Sequence, residues 1–207
     1  MSNRYFGGLP GDPEVFRISQ HGGAGSAVPM PARWIDAAEA GAPLRVVDRR
    51  VWVLLTAHSW PLDPLDAARS LPAKEVRDVV GLRGARNNKR LQEVAARLRE
   101  LRLMPEEGGP PVRIFDHVEV PAGGDTLTWR FASQAVIWAS GSRSWMRVDM
   151  PILHRISGHR AARLYMLLGL RERMRGRFWS VDADRLQRLL APERTWRVWS
   201  DFEKAVL

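Results

Sequence analysis

The sequence predicts an α+β, mainly helical fold: two tandem units, each a helix-turn-helix followed by a β-hairpin, which is the winged-helix arrangement, with the second unit truncated. Three observations carry this. Between Pro72 and Met104 a short amphipathic helix, a tight linker and a longer basic helix follow one another. After Pro105 the apolar spacing switches from helical to alternating. From Pro151 the same order of elements starts again.

Taken in order, residues 1–44 are rich in Gly, Pro and Ala, with HGGAGSAVPMPA at their centre, and keep no sustained period. They read as a flexible arm with at most a short helix at RWIDAAEA. The first winged unit spans 45–150. It opens on VVDRRVWVLLTAHSW, where Asp48 is placed to cap a core helix carrying Val51, Trp52, Leu54 and Leu55, closed by Pro61. In LPAKEVRDVVGL, Pro72 suits a first helical turn, Val76, Val79 and Val80 form a stripe, and Gly81 ends the helix. The linker LRGA leads to RNNKRLQEVAARLRELRLM. Leu91, Val94, Ala95, Leu98 and Leu101 share one face of it, and Arg86, Lys89, Arg90 and Arg97 are spread over the rest. VRIFDHVEV, PAGGD and TLTWRF then read as a β-hairpin, with Leu127, Trp129 and Phe131 on one side. QAVIWASGSRSWMRVDM continues as a short helix or strand.

The second unit spans 151–207. A long helix, PILHRISGHRAARLYMLLGLRERM, precedes a strand-like RFWSV, the helix DADRLQRLLAP and a final basic helix in ERTWRVWSDFEKAVL. Ala161, Leu164, Tyr165 and Leu168 fall at i, i+3, i+4, i+7 and are expected to face the core, with Arg160 and Arg163 off that face. Trp196, Trp199 and Phe202 read as core packing of the last helix. That helix is expected to be cut at Leu207, without a second wing.

Composition narrows the chemistry. The chain of 207 residues has no cysteine, so disulfides and thiolate metal sites are unavailable. Its start lacks a signal peptide, and no run approaches the roughly 18 apolar residues of a membrane span, so a cytoplasmic, nucleoid- or plasmid-associated location without membrane contact is expected. The net charge is +9. Basic and acidic residues number 9 and 9 over 1–82, 7 and 2 over 83–104, 4 and 6 over 105–150, and 12 and 6 over 151–207. All the excess lies in two blocks, each fused to an apolar helical pattern, which implies a polyanion partner, double-stranded DNA above all.

Catalytic constellations are missing from the sequence. There is no G-x-x-x-x-G-K-[ST] loop, and HGGAGS lacks dinucleotide-binding spacing. The five histidines, His21, His58, His117, His154 and His159, form no H-x-H or H-E-x-x-H pair. Tyr5 lies in the loose arm and Tyr165 on the apolar stripe, so neither suits a nicking nucleophile. No enzyme activity, cofactor or metal is expected. The basic positions of the helix-turn-helix pattern, Arg86, Asn88, Lys89, Arg90 and Arg97, together with Arg160, Arg194, Arg197 and Lys204 in the second unit, are the candidate DNA contacts.

The segments ILHRISGHRAARLYMLL and RLQRLLAPERTWRVWSDFEKAVL resemble the second domain of the iteron-binding plasmid replication initiators, the Rep or RepA-type proteins with tandem winged helices. Ala162, Arg163, Leu164, Tyr165, Leu167 and Leu168 match the first piece of the family pattern, and Trp199, Asp201, Phe202, Lys204, Val206 and Leu207 the second. The resemblance covers residues 150–207; the first unit matches in element order and in NNKRLQEVAARLREL. It implies a non-catalytic initiator whose first domain dimerises and makes accessory DNA contacts while the second reads direct repeats at an origin. It further implies a monomer–dimer switch and recruitment of the host initiator and replicative helicase. A winged-helix transcriptional regulator is the alternative reading, and a nuclease or relaxase a third.

Overall fold

The computed structural model describes residues 27–41, 43–59, 68–82, 88–105, 108–142, 145–172 and 180–190. Its elements in chain order are β1 (Ala27–Pro31), α1 (Ala32–Asp36), β2 (Ala38–Ala40), α2 (Val46–His58), β3 (Arg69–Pro72), α3 (Ala73–Val80), α4 (Lys89–Arg99), β4 (Arg102–Met104), β5 (Val112–Arg113), β6 (Phe115–Glu119), β7 (Thr126–Phe131), α5 (Ser133–Ser140), β8 (Trp145–Asp149), α6 (Met150–Arg155), α7 (His159–Glu172) and α8 (Ala183–Leu190). The fold is mixed helix and sheet, as the sequence predicts.

Helix α2 is the axis of the core. Every residue from Asp48 to Ala57 except Arg50 is buried, so neighbours surround it on all sides. Asp48 stands in its first turn, not at the N-cap expected: Arg45 precedes the helix, and its backbone N–H donates to Asp48 Oδ2 at 2.9 Å. Helices α3 and α4 follow in the expected order, but α4 ends at Arg99, short of the helix expected to run to Met104, because Arg102–Met104 leave it as strand β4 and pair with β2. Residues 83–87 lie outside the described residues. Gly81 terminates α3 with φ +82°, a left-handed conformation open to glycine, and its N–H reaches back to Arg77 O. Leu91, Val94, Ala95, Leu98 and Leu101 are all buried.

Strands β6 and β7 form the predicted hairpin, and β3 pairs along the other edge of β7, giving the order β3-β7-β6. Helix, strand, two helices and hairpin, with the first strand beside the last, is the winged-helix topology. The imperfect alternation in VRIFDHVEV has a physical cause. The register shifts between Phe115 and His117, so Asp116 is turned outward while Ile114, Phe115 and Val118 stay buried.

Residues 27–40 correct the sequence reading, which placed them in a flexible arm. They form β1, α1 and β2. Strand β1 pairs with β8, β2 pairs with β4, and Trp34 and Ile35 are fully buried. Elements of three to five residues paired with partners far along the chain show no period of their own. Pro29 and Pro31 fit because β1 belongs to a two-stranded sheet with an outer edge that needs no donor. Residues 1–26 lie outside the described residues.

The expected long helix of the second unit is two helices. Asp149 caps α6 by accepting from Ile152 N, Pro151 occupies its first turn, and Ile156 is extended, so the chain breaks before Ser157 and Gly158. The buried face of α7 is also displaced from the expected one. Ala162, Arg163, Met166, Leu167 and Leu170 are buried, Leu164 and Tyr165 are half-buried, and Ala161 and Leu168 are exposed, Leu168 at 49%. Two apolar stripes overlap on this helix, and its partners decide between them. The Met146 side chain of β8 packs against Gly169, so a side chain there would require its thioether end to shift, and the Tyr165 hydroxyl accepts from Asp149 N at 2.9 Å. One apolar core runs through all these elements, from Val28 to Leu190.

Burial pulls the His58 imidazole below its usual 6.5, against the opposing pull of Glu75. The folded state therefore binds fewer protons than the unfolded chain below that value, so stability is full above it and lost as pH falls through the folded pKa. The melting temperature is expected to drop as pH falls below about 6.5, and His58→Gln to flatten that slope in thermal melts.

Candidate nucleic-acid interface

In a helix-turn-helix the second helix presents its N-terminal turns to DNA. Here that helix is α4, and its first turn carries no acidic residue. Lys89 and Arg90 are exposed on it, adding positive charge where the helix dipole already favours an anion.

The neighbouring polar side chains face inward. Asn88 Oδ1 accepts from Arg77 Nη1 of α3, and Asn88 Nδ2 donates to Gly124 O in the hairpin turn at 2.5 Å. Gln92 Nε2 donates to Val120 O and Pro121 O, each at 3.3 Å. These bonds clamp α4 to both α3 and the wing. Asn88, one of the candidate DNA contacts, thus links α3 and the hairpin turn in this structure.

Arg97 also turns inward. Its Nε and Nη2 donate to the two oxygens of Asp48 at 2.8 Å each, and that carboxylate is fully buried. The bond to Asp48 pushes the guanidinium pKa above its usual value. Sequence periodicity put Arg97 off the apolar face but could not show a carboxylate waiting on α2. Arg160 is half-buried in the first turn of α7, away from α4 in the chain. Arg86, Arg194, Arg197 and Lys204 lie outside the described residues.

The wing itself is acidic on its outer side. Asp116, Glu119 and Asp125 are exposed against Arg130, which pairs with Asp116 at 3.6 Å. A phosphate backbone repels such a surface. At the far end of α4, the sequence reading missed a cluster of arginines on separate elements. Arg102 and Arg113 stand opposite each other across β4 and β5, and with Arg99 they surround Glu100. Bonding from Arg102 first, and the field of all three, hold the Glu100 carboxyl below its ordinary value. Among the described residues no three His, Asp or Glu gather in metal-binding geometry, and no helix is long and apolar enough to cross a membrane.

Residues 46–131 thus present a winged helix with one electropositive helix end. No family model matches the chain, and no curated protein matches it. Among solved structures it is similar to the crystal structure of the Pi initiator protein in complex with iteron DNA, with a TM-score of 0.66 over 87% of this chain and 82% of that one. Sequence identity is 13%, so the likeness is one of fold.

Proposed function

We propose that the chain is a non-catalytic, sequence-specific DNA-binding protein that initiates plasmid replication by binding repeated sites at an origin. One observation carries this reading: over most of its length the chain shares its fold with an initiator captured on iteron DNA. The two basic blocks and the electropositive start of α4 supply the charge such binding requires. In this reading residues 45–150 make accessory DNA contacts through Lys89 and Arg90 and carry the dimerisation surface, while residues 151–207 read the repeat through Arg160, Arg194, Arg197 and Lys204. A monomer–dimer switch and recruitment of the host initiator and replicative helicase complete the proposal.

Selection of duplexes from a randomised pool, followed by binding of the selected and scrambled sequences at two salt concentrations, tests it. The expected result is a preference of about a thousandfold or more for the selected duplex, with affinity falling steeply as salt rises. Enrichment of direct repeats supports an initiator, and enrichment of inverted repeats the transcriptional regulator. Equal binding of selected and scrambled duplexes would remove the claim of specificity, and metal-dependent nicking of supercoiled DNA would return the enzyme reading.

A further inference from the structure

Three charged side chains meet in the core where β2, α2 and α7 converge. Glu39, Arg49 and Arg163 are each no more than 3% exposed. Arg49 Nη1 lies 2.5 Å from Glu39 Oε1, and Arg163 Nε lies 3.9 Å from the same oxygen. Glu39 Oε2 accepts from Leu44 N at 3.2 Å. Arg163 also donates to two carbonyls, Ala37 O ahead of β2 and Leu189 O near the end of α8. One carboxylate is therefore shared by two guanidiniums. Arg49 comes from the first helix of the winged unit, and Arg163 from the α7–α8 pair.

Such a cluster is a poor source of stability. Two cations against one anion leave a net positive charge in the core, and Arg49 Nε and Arg163 Nη1 have no hydrogen-bond partner among the described residues. Burial pulls Arg163 down to about 10, with Glu39 only partly opposing it. For Glu39 burial acts upward, but Arg49 and then Arg163 outweigh it and hold the carboxyl below its usual value. Apolar residues of similar size in place of buried ion pairs are often as stable or more so. What the cluster does supply is direction. Apolar contacts between α2 and α7 tolerate a sliding or rotated packing, whereas a displaced α7 strands buried charges.

We propose that Glu39, shared between Arg49 and Arg163, is the positioning residue that fixes the angle between the winged unit and the α7–α8 pair. Where the chain binds DNA, which rests on the function proposed above, that angle sets the separation of the contacts the two parts make.

The chain has no cysteine, so two introduced ones carry spin labels without competition. Glu93→Cys on α4 and Asp184→Cys on α8, both exposed, report the distance between the two parts. That distance is to be measured in the full chain, in the isosteric variant Glu39→Gln, which leaves the two guanidiniums without their anion, and in the apolar triple variant Glu39→Met, Arg49→Met, Arg163→Met. The triple variant is expected to melt at or above the temperature of the parent while its distance distribution broadens or splits. Glu39→Gln is expected to broaden it as well, and if that variant does not fold the triple variant still decides. A single sharp distance in the folded triple variant, or a triple variant that melts well below the parent, would overturn the proposal. In a second measurement one base pair is inserted at the centre of a selected duplex. The parent is expected to lose about tenfold or more in affinity, and the triple variant clearly less. An equal loss in both, with DNA binding intact, counts against the proposal. If no form binds DNA, the proposed function fails while the distance measurement still judges Glu39.

Discussion

Trp34→Ala is expected to destabilise the protein by about 3–5 kcal/mol, the range for truncating a buried aromatic. The indole is fully buried, 6.0 Å from the ring of Trp52 on α2 and 5.3 Å from that of Phe131 on β7. Its N–H donates to Ala135 O of α5 at 3.3 Å. One side chain from the N-terminal segment thus packs on the core helix, the hairpin and the helix after it. No neighbour can close the cavity without moving one of those elements. Because native domains are stable by only about 5–15 kcal/mol, the loss is expected to appear as a large drop in thermal and urea midpoints. Trp34→Phe keeps most of the packing and loses the donor, so it is expected to fall between. A Trp34→Ala protein that melts with the parent would show that residues 27–40 are not part of the core.

The contrast between this segment and α4 shows what was legible in the sequence. In α4 the apolar spacing, the linker before it and the basic positions around it all point one way, and the buried residues are the ones the period selects. The hairpin was legible for the same reason, down to its turn at PAGGD. Residues 27–40 carry no such signal because β1 and β2 gain their order from β8 and β4, more than sixty residues away along the chain. Helix α7 failed differently. A period of 3.6 offers two overlapping faces in HRAARLYMLL, and hydrophobicity alone prefers the one without arginine. On the face that is buried, Arg163 meets Glu39, a carboxylate on a strand the sequence did not reveal, and Gly169 meets Met146 of β8. Buried charges are rare unless paired, so a rule that sends arginine outward misses the pairs that send it inward.

The same lesson separates two kinds of arginine in α4 and gives a second large effect. Arg97→Ala is expected to cost about 3–5 kcal/mol, because it strips the buried Asp48 carboxylate of its charged partner and leaves it the Arg45 N–H. Arg97→Lys is expected to recover only part of this, since an ammonium cannot reproduce two parallel bonds from one planar group. Removing both partners, Asp48→Ala with Arg97→Ala, takes away the stranded charge and is expected to cost less than the sum of the single changes. Lys89→Ala and Arg90→Ala behave in the opposite way. Both residues are exposed, so each is expected to change stability by no more than about 0.5 kcal/mol. If they meet phosphates, each is expected to lower the salt slope of DNA binding by about 0.9. Thermal melts and salt titrations on these variants separate the roles. An Arg97→Ala protein that melts like the parent yet loses salt-dependent binding would place Arg97 on the DNA and make the Asp48 pair incidental. Unchanged salt slopes in Lys89→Ala and Arg90→Ala would move the accessory contact away from α4.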